Sequence, residues 1–238
     1  PPGERLSEAG RLDVGQRLLG GLTDPHGVVH YVLRSGGTRK DLWKPPHRKG
    51  MIRHSDDGPL RTVTIDRPER RNALRPEDLD ALVDAVTGAA GPVVYVHGAG
   101  DAFCAGADFD VVASLEDPYE FARHGQRTLN AVADAEAVVV AGIDGAARGG
   151  GVELALACDM RVATPDASLA EPGVQFGLFG AWGGTIRLPR TVSAADAADI
   201  ALSGRSVDAE EALRMGLVSR VVDDPRAVAE EVAENKAD

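Results

Sequence analysis

Within twenty residues the chain runs from an apolar stretch, Val138-Val139-Val140-Ala141, through a small-residue turn spanning Gly145 to Gly151, into Val152-Glu153-Leu154-Ala155-Leu156-Ala157. A β-rich run, a glycine turn and an apolar helix in that order form a strand–turn–helix unit, which restricts the chain to folds built on covered sheets. The first turn of a helix leaves backbone N–H groups unpartnered and carries partial positive charge, and glycine lets a ligand oxygen approach them. Gly150 and Glu153 lie three apart and share a helix face, so an N–H suited to a developing oxyanion stands near a group able to move a proton. Taken alone, the segment is equally a tight bend whose glutamate complements the helix dipole.

The same unit recurs along the chain. Leu60 to Asp66 alternates apolar and polar residues and reads as a strand stopped by Arg67-Pro68. Pro76 opens a helix with Leu79, Leu82, Val83 and Val86 at helical spacing. Val93 to Val96 is a short strand, Gly98 to Gly106 a loop around Phe103 and Cys104, and Pro118 to Ala133 a helix. Short strands are expected at Met160 to Ala163, Ser168 to Ala170 and Val218 to Val222. Helices are expected at Ala194 to Leu202, Asp208 to Met215 and Pro225 to Glu234, with Ser206 as a cap.

Residues 1–50 read differently. They are rich in Gly, Arg and Pro, with one weak strand around Val28 to Leu33 and a basic, proline-broken stretch from Arg39 to Lys49. We expect a poorly ordered N-terminal extension there and a working domain over 51–238. Charge divides at the same point: nine Lys or Arg face five Asp or Glu in residues 1–50, against 17 and 32 in the remainder. The acidic body, whose only lysine is Lys236, argues against a nucleic-acid partner and fits a protein adapted to high salt. No apolar run has the length of a membrane span. Cys104 and Cys158 lack metal-type spacing and read as buried, reduced thiols, so a cytoplasmic location without a membrane or a disulfide is expected.

A second small-residue loop, Phe103-Cys104-Ala105-Gly106-Ala107-Asp108, follows an earlier strand as the glycine triple follows a later one. Two such loops can bring two N–H donors to one oxygen. Together with Arg67-Pro68-Glu69-Arg70-Arg71-Asn72-Ala73-Leu74, Gly145 to Ala155, Cys158-Asp159, Gly183 to Arg190 and Ala209 to Val218, they form an ordered set of motifs. From about residue 60 to 234 the chain resembles the enoyl-CoA hydratase/isomerase, or crotonase, superfamily.

The resemblance implies an α/β fold, a crotonase-like spiral of ββα units, here with a shortened C-terminal helical region. It also implies an acyl-CoA thioester substrate, no cofactor beyond the CoA of that substrate, and a homotrimer or dimer of trimers. It assigns the oxyanion N–H groups to Ala107 and Gly150 and the acid–base carboxylate to Glu153. Arg70, Arg71, Ala73, Ala105, Asp108, Phe109 and Gly149 fall at substrate-binding positions, with the arginine forks suited to CoA phosphates. Asp108 and Asp110 themselves read as helix-start carboxylates and not as metal ligands. Family hydratases carry a second glutamate twenty residues after the first, and here that position is Gly173. Glu171, two residues earlier, reads as a surface or salt-bridging residue ahead of a catalytic one.

Other chemistries lack their signatures. No Gly-x-Ser-x-Gly elbow presents a nucleophile, no Lys-Ser/Thr follows the glycines to make a phosphate loop, and the six histidines show no metal spacing. His97 ends a strand and is expected to be structural. Three functions follow: hydration of a 2-enoyl-CoA, shift of its double bond by one shuttling carboxylate, or binding of CoA esters with little catalysis.

Overall fold

The chain divides into two units, Pro1–Pro46 and His47–Asp238, and the computed structural model describes residues 22–23, 29–30 and 50–237. In the first unit β1 (Leu22–Thr23) pairs antiparallel with β2 (Val29–His30), inside the stretch expected to hold a strand. The rest of the expectation for residues 1–49 lies outside the described residues.

The second unit runs β3 (Ile52–Asp57), β4 (Leu60–Ile65), α1 (Pro76–Thr87), β5 (Val93–Gly98), β6 (Ala102–Cys104), α2 (Phe109–Val112) and α3 (Pro118–Ala133). It continues with β7 (Val138–Ile143), β8 (Ala146–Arg148), α4 (Gly150–Ala157), β9 (Met160–Ala163) and β10 (Ser168–Ala170). The last elements are α5 (Gly184–Thr191), α6 (Ala194–Ser203), β11 (Ser206–Asp208), α7 (Ala209–Met215), β12 (Arg220–Val221) and α8 (Pro225–Ala237). Short 3₁₀ turns occupy Pro68–Arg70 and Pro172–Phe176.

Two sheets result. The larger has the order β12-β9-β7-β5-β4-β3, parallel except for the β3–β4 hairpin; the smaller has the order β11-β10-β8-β6, with only β11 antiparallel. Three times in succession, at β5-β6, β7-β8 and β9-β10, the first strand enters the large sheet, the second enters the small one, and a helical segment follows. That is the expected spiral of ββα units.

Parallel strands must be covered on both faces, and the valine runs meet that demand by alternation. Val94, Val96, Val139 and Ala141 enter the main core with Leu79, Leu82 and Val86 of α1, Leu129 of α3 and Leu154 of α4. Val93, Tyr95 and Val140 point the other way, where Val228, Ala229 and Ala233 of α8 cover them. The C-terminal helix therefore seals the outer face of the sheet. From Gly151 to Ala157 every residue of α4 is buried, which accounts for its apolar composition on all sides.

Four sequence expectations change. The loop expected over Gly98 to Gly106 contains β6, and the turn expected over Gly145 to Gly151 contains β8, because three-residue strands of small residues carry no visible period. Ser206 begins β11; the cap of α7 is Asp208, whose side chain accepts the Glu211 N–H at 2.8 Å. The hairpin strand β3 and helix α5 were not among the expected elements: Ile52–Asp57 is almost wholly polar and exposed, and Pro189 lies inside α5. Among the described residues no helix is long and apolar enough to cross a membrane. Both cysteines are buried and unpaired, and burial pushes each thiol up to about 12.

Candidate active site

β6 and β8 are parallel neighbours, Ala102 opposite Ala146 and Cys104 beside Ala147, so the loops leaving them emerge side by side. They touch. A β-carbon on Gly106 would stand 2.7 Å from the Gly150 nitrogen, and one on Gly151 would overlap the Cys104 carbonyl oxygen. Leu74 forms a parallel bridge with Ala107, its N–H donating to the Gly106 carbonyl at 2.7 Å and its carbonyl accepting the Asp108 N–H at 2.9 Å. That geometry engages the residues on either side and leaves the Ala107 N–H without an acceptor among the described residues. The Gly150 N–H, at the start of α4, is likewise free among the described residues.

Ala107 and Gly150 both line a cleft of about 880 Å³. All ten residues expected at the site line it: Glu153, Ala107, Gly150, Arg70, Arg71, Ala73, Ala105, Asp108, Phe109 and Gly149. Glu153 is 4% exposed, and its Oε1 accepts the Gly184 N–H at 2.7 Å. Burial pushes its carboxyl up to about 7, even though the N–H groups at the start of α5 favour the anion.

The acidic and basic residues of the cleft divide into paired and free. Asp108 is buried, accepts from Arg67 at 2.6 Å and from the Asp110 N–H at 3.0 Å, and starts α2 as expected. Burial opposes its ionisation, but Arg67 outweighs that, with Asp110 N–H and Arg70 assisting, and holds its pKa below the usual carboxylate range. Arg70 is tied to Asp110 and Asp108. Arg71 is different: its guanidinium pairs with no carboxylate among the described residues. It sits on a left-handed turn, φ 50°, continued by Asn72 at φ 59°. Asn72 holds that turn, accepting the Arg67 N–H at 2.9 Å and donating to the Ala102 carbonyl at 2.6 Å. Phe109 packs on Phe176 at the rim, ring centroids 5.1 Å apart.

Three further cleft residues bear on the chemistry. Arg148 lines the cleft, donates to the Ser168 backbone and hydroxyl, and meets no carboxylate among the described residues. Burial, then the like charge of Arg71, lowers its pKa. Trp182 is 5% exposed, edge-on to Phe121, and its ring is so close to Gly150 that a β-carbon there would stand 2.5 Å from it. Glu171 is the correction that matters most. Expected at the surface or in a salt bridge, it is 6% exposed, has no cationic partner among the described residues, and lines the cleft. The reason is register. Ala170 lies opposite Arg148 on the parallel pair β10–β8, and its carbonyl accepts the Gly149 N–H at 2.9 Å, so the next residue is delivered beside the glycine turn. Beyond it the chain is a 3₁₀ turn and not a strand, which removes the two-residue alternation on which the expectation rested. The signal was present in the two short runs, Ala146 to Arg148 and Ser168 to Ala170, each ending at a site residue, as ligand sites gather at the ends of parallel strands. His97 lies outside this cleft, bonded to Thr64 Oγ1 at 2.9 Å and the Gly98 carbonyl at 3.0 Å.

Residues 57–236 match the family model described as enoyl-CoA hydratase/isomerase, and the chain belongs to that family. It is similar to a fatty acid oxidation complex subunit alpha of Shewanella loihica, 42% identical over 178 residues that make up 70% of this chain and 25% of that protein. It is also similar to a crotonyl-CoA hydratase of Syntrophomonas wolfei, 37% identical over 68% of this chain and 65% of that protein, so it spans less than two thirds of either. The crystal structure of an enoyl-CoA hydratase from Bacillus anthracis superimposes with a TM-score of 0.73 at 32% identity, covering 79% of this chain and 76% of that one.

Proposed function

We propose that the protein adds water to 2-enoyl-CoA thioesters. The observation that carries this reading is the pair of free N–H groups, Ala107 and Gly150, on two touching loops beside the buried carboxylate of Glu153. A thioester oxygen held between those donors draws electron density from the conjugated double bond and gains negative charge as the enolate forms. Fixed N–H dipoles stabilise that charge without having to reorient, typically by about 3–4 kcal/mol per donor. Glu153, ionised in part at neutral pH, takes a proton from water as the water oxygen bonds to Cβ. The double-bond electrons pass to the enolate, and proton delivery to Cα completes a 3-hydroxyacyl-CoA.

The CoA portion is assigned to the part of the cleft lined by Arg71 and Arg148. Arg71 and Arg148, neighbours without carboxylate partners, supply the unneutralised positive charge that CoA phosphates require in an otherwise acidic molecule. Arg70 and Asp108, being bonded to each other and to Asp110 and Arg67, shape the wall there.

Incubation of the purified chain with crotonyl-CoA, followed by loss of the conjugated enoyl absorbance and identification of the product, tests the reading. Formation of 3-hydroxybutyryl-CoA is expected. A shifted double bond without added water would select isomerisation, and CoA-ester binding without turnover would leave only a binding protein.

A further inference from the structure

The hydration reading leaves one proton unassigned, the one that Cα receives. Glu153 cannot supply it in the same event in which it takes a proton from water, and the position at which a second glutamate was expected is Gly173. That position is also tight: a β-carbon on Gly173 would stand 3.1 Å from the Leu178 carbonyl oxygen and 3.2 Å from its carbon, so the neighbouring backbone would have to give by a few tenths of an ångström.

Glu171 meets the geometric requirements that Gly173 lacks. It follows β10 at the point where the Ala170 carbonyl ties that strand to the glycine turn, so it emerges on the same cleft wall as Gly149 and Gly150. Its Oε1 stands 3.3 Å from the place a β-carbon on Gly184 would occupy, and Glu153 Oε1 stands 3.1 Å from that same place. Two carboxyl groups therefore border one small space, kept open because residue 184 is glycine. Glu153 has its N–H donor there, whereas Glu171 Oε1 has no hydrogen-bond partner among the described residues. A buried carboxyl without a donor is a standing cost to folding, which a purely structural residue has no reason to retain.

We propose that Glu171 is the second catalytic carboxyl group, the acid that protonates Cα while Glu153 acts as the base toward water. Resting on the hydratase reading, it completes the balance. The Glu153 carboxylate takes a proton from water, the water oxygen bonds to Cβ, the enolate forms, and the Glu171 O–H gives its proton to Cα as the enolate collapses. Transfer of the proton from Glu153 to the Glu171 carboxylate across their shared space restores both groups. The division of labour follows from the partners: an N–H donor favours the anion at Glu153, while burial and then the neighbouring Glu153 charge push Glu171 up to about 9 and keep it protonated at neutral pH.

The test compares the full chain with Glu171→Gln and Glu171→Leu for crotonyl-CoA turnover, for butyryl-CoA binding by calorimetry and for Tm. Both variants should lose about 100-fold or more in kcat, the usual scale for removing a positioned acid, with KM and butyryl-CoA affinity within threefold of wild type. Glu171→Leu should melt at the wild-type temperature or above it, since it removes an unpartnered buried acid. Wild-type kcat should fall above about pH 9, where the acid is ionised. Turnover of both variants within fivefold of wild type would overturn the assignment. So would a fall in kcat matched by lost Tm and lost butyryl-CoA binding, the signature of a structural residue. A wild-type chain that binds butyryl-CoA yet leaves crotonyl-CoA unchanged would overturn the hydratase reading itself, and the role of Glu171 with it.

Discussion

Alanine substituted in turn at Gly149, Gly150 and Gly151 should give three different results from three adjacent glycines. At Gly150 a β-carbon would stand 2.5 Å from Trp182 Cζ3, 2.7 Å from Cε3 and 3.2 Å from the Gly106 Cα. Trp182 cannot retreat, because a β-carbon on Gly125 would already overlap its ring and Phe121 packs edge-on at 5.5 Å. The turn must move instead. Overpacking of this kind costs about 1–3 kcal/mol, so Gly150→Ala should still fold with Tm lowered by roughly 2–10 °C. The displacement takes the Gly150 N–H off the oxyanion position, and kcat should drop about 100-fold, with smaller effects on KM. Gly149 has nothing within 4 Å of its β-position, but its φ of +48° strains any L side chain. Gly149→Ala should therefore lose about 1–3 kcal/mol of stability and keep most of its kcat. At Gly151 the β-carbon would overlap the Cys104 backbone carbonyl, and that variant should not fold. Steady-state kinetics with crotonyl-CoA and thermal melts on the three proteins check the series. A folded Gly150→Ala protein with kcat within threefold of wild type would refute the oxyanion assignment; equal kcat losses in Gly149→Ala and Gly150→Ala would show that strain and not the N–H is being read.

Replacing Arg71 with alanine should raise KM for crotonyl-CoA about fivefold, the scale of one exposed charge pair, while leaving turnover of crotonyl-pantetheine, which lacks the nucleotide phosphates, unchanged. Stability should depend on pH through the two buried glutamates. Their folded values of about 7 and about 9 lie above the ordinary 4.5, so neither group has to ionise against its burial below that value, and stability is lost as pH rises through both. Tm should fall from pH 5 to pH 9, and the slope should flatten in a Glu153→Gln/Glu171→Gln double variant measured by calorimetry. Asp108 acts in the opposite sense: its value is depressed, so its contribution is present above the ordinary carboxylate range and lost only as pH falls through that depressed value.

Most of the architecture could be read along the chain because its elements have periods. The valine runs at 93–96 and 138–141 lie within strands, and the helix expected from Leu79, Leu82 and Val86 is observed at Pro76–Thr87. The pairing of the two small-residue loops was legible as well, since glycine at 106, 150 and 151 implies close backbone approach. The three-residue strands β6 and β8 were not. Ala102–Cys104 and Ala146–Arg148 are held by hydrogen bonds to distant strands, and nothing local distinguishes them from loop. That is also why the sequence misplaces Glu171: its position depends on pairing between residues 22 apart, and its burial is invisible in Leu169-Ala170-Glu171-Pro172-Gly173. Arg148 was read as one residue in a glycine-rich turn for the same reason, although the strand it ends brings it to the cleft.

The register of the small sheet also governs how the site meets a ligand. Gly149 and Glu171 are joined through Ala170 by a backbone hydrogen bond of 2.9 Å, and Glu153 is held at 2.7 Å by the first N–H of α5. These groups come from secondary-structure elements and their immediate exits, not from a long loop that must close. On the hydratase reading, the entropy of bringing them together is thus spent when the chain folds and not again at each encounter. A preformed cleft of this kind would favour molecules already shaped to fit it.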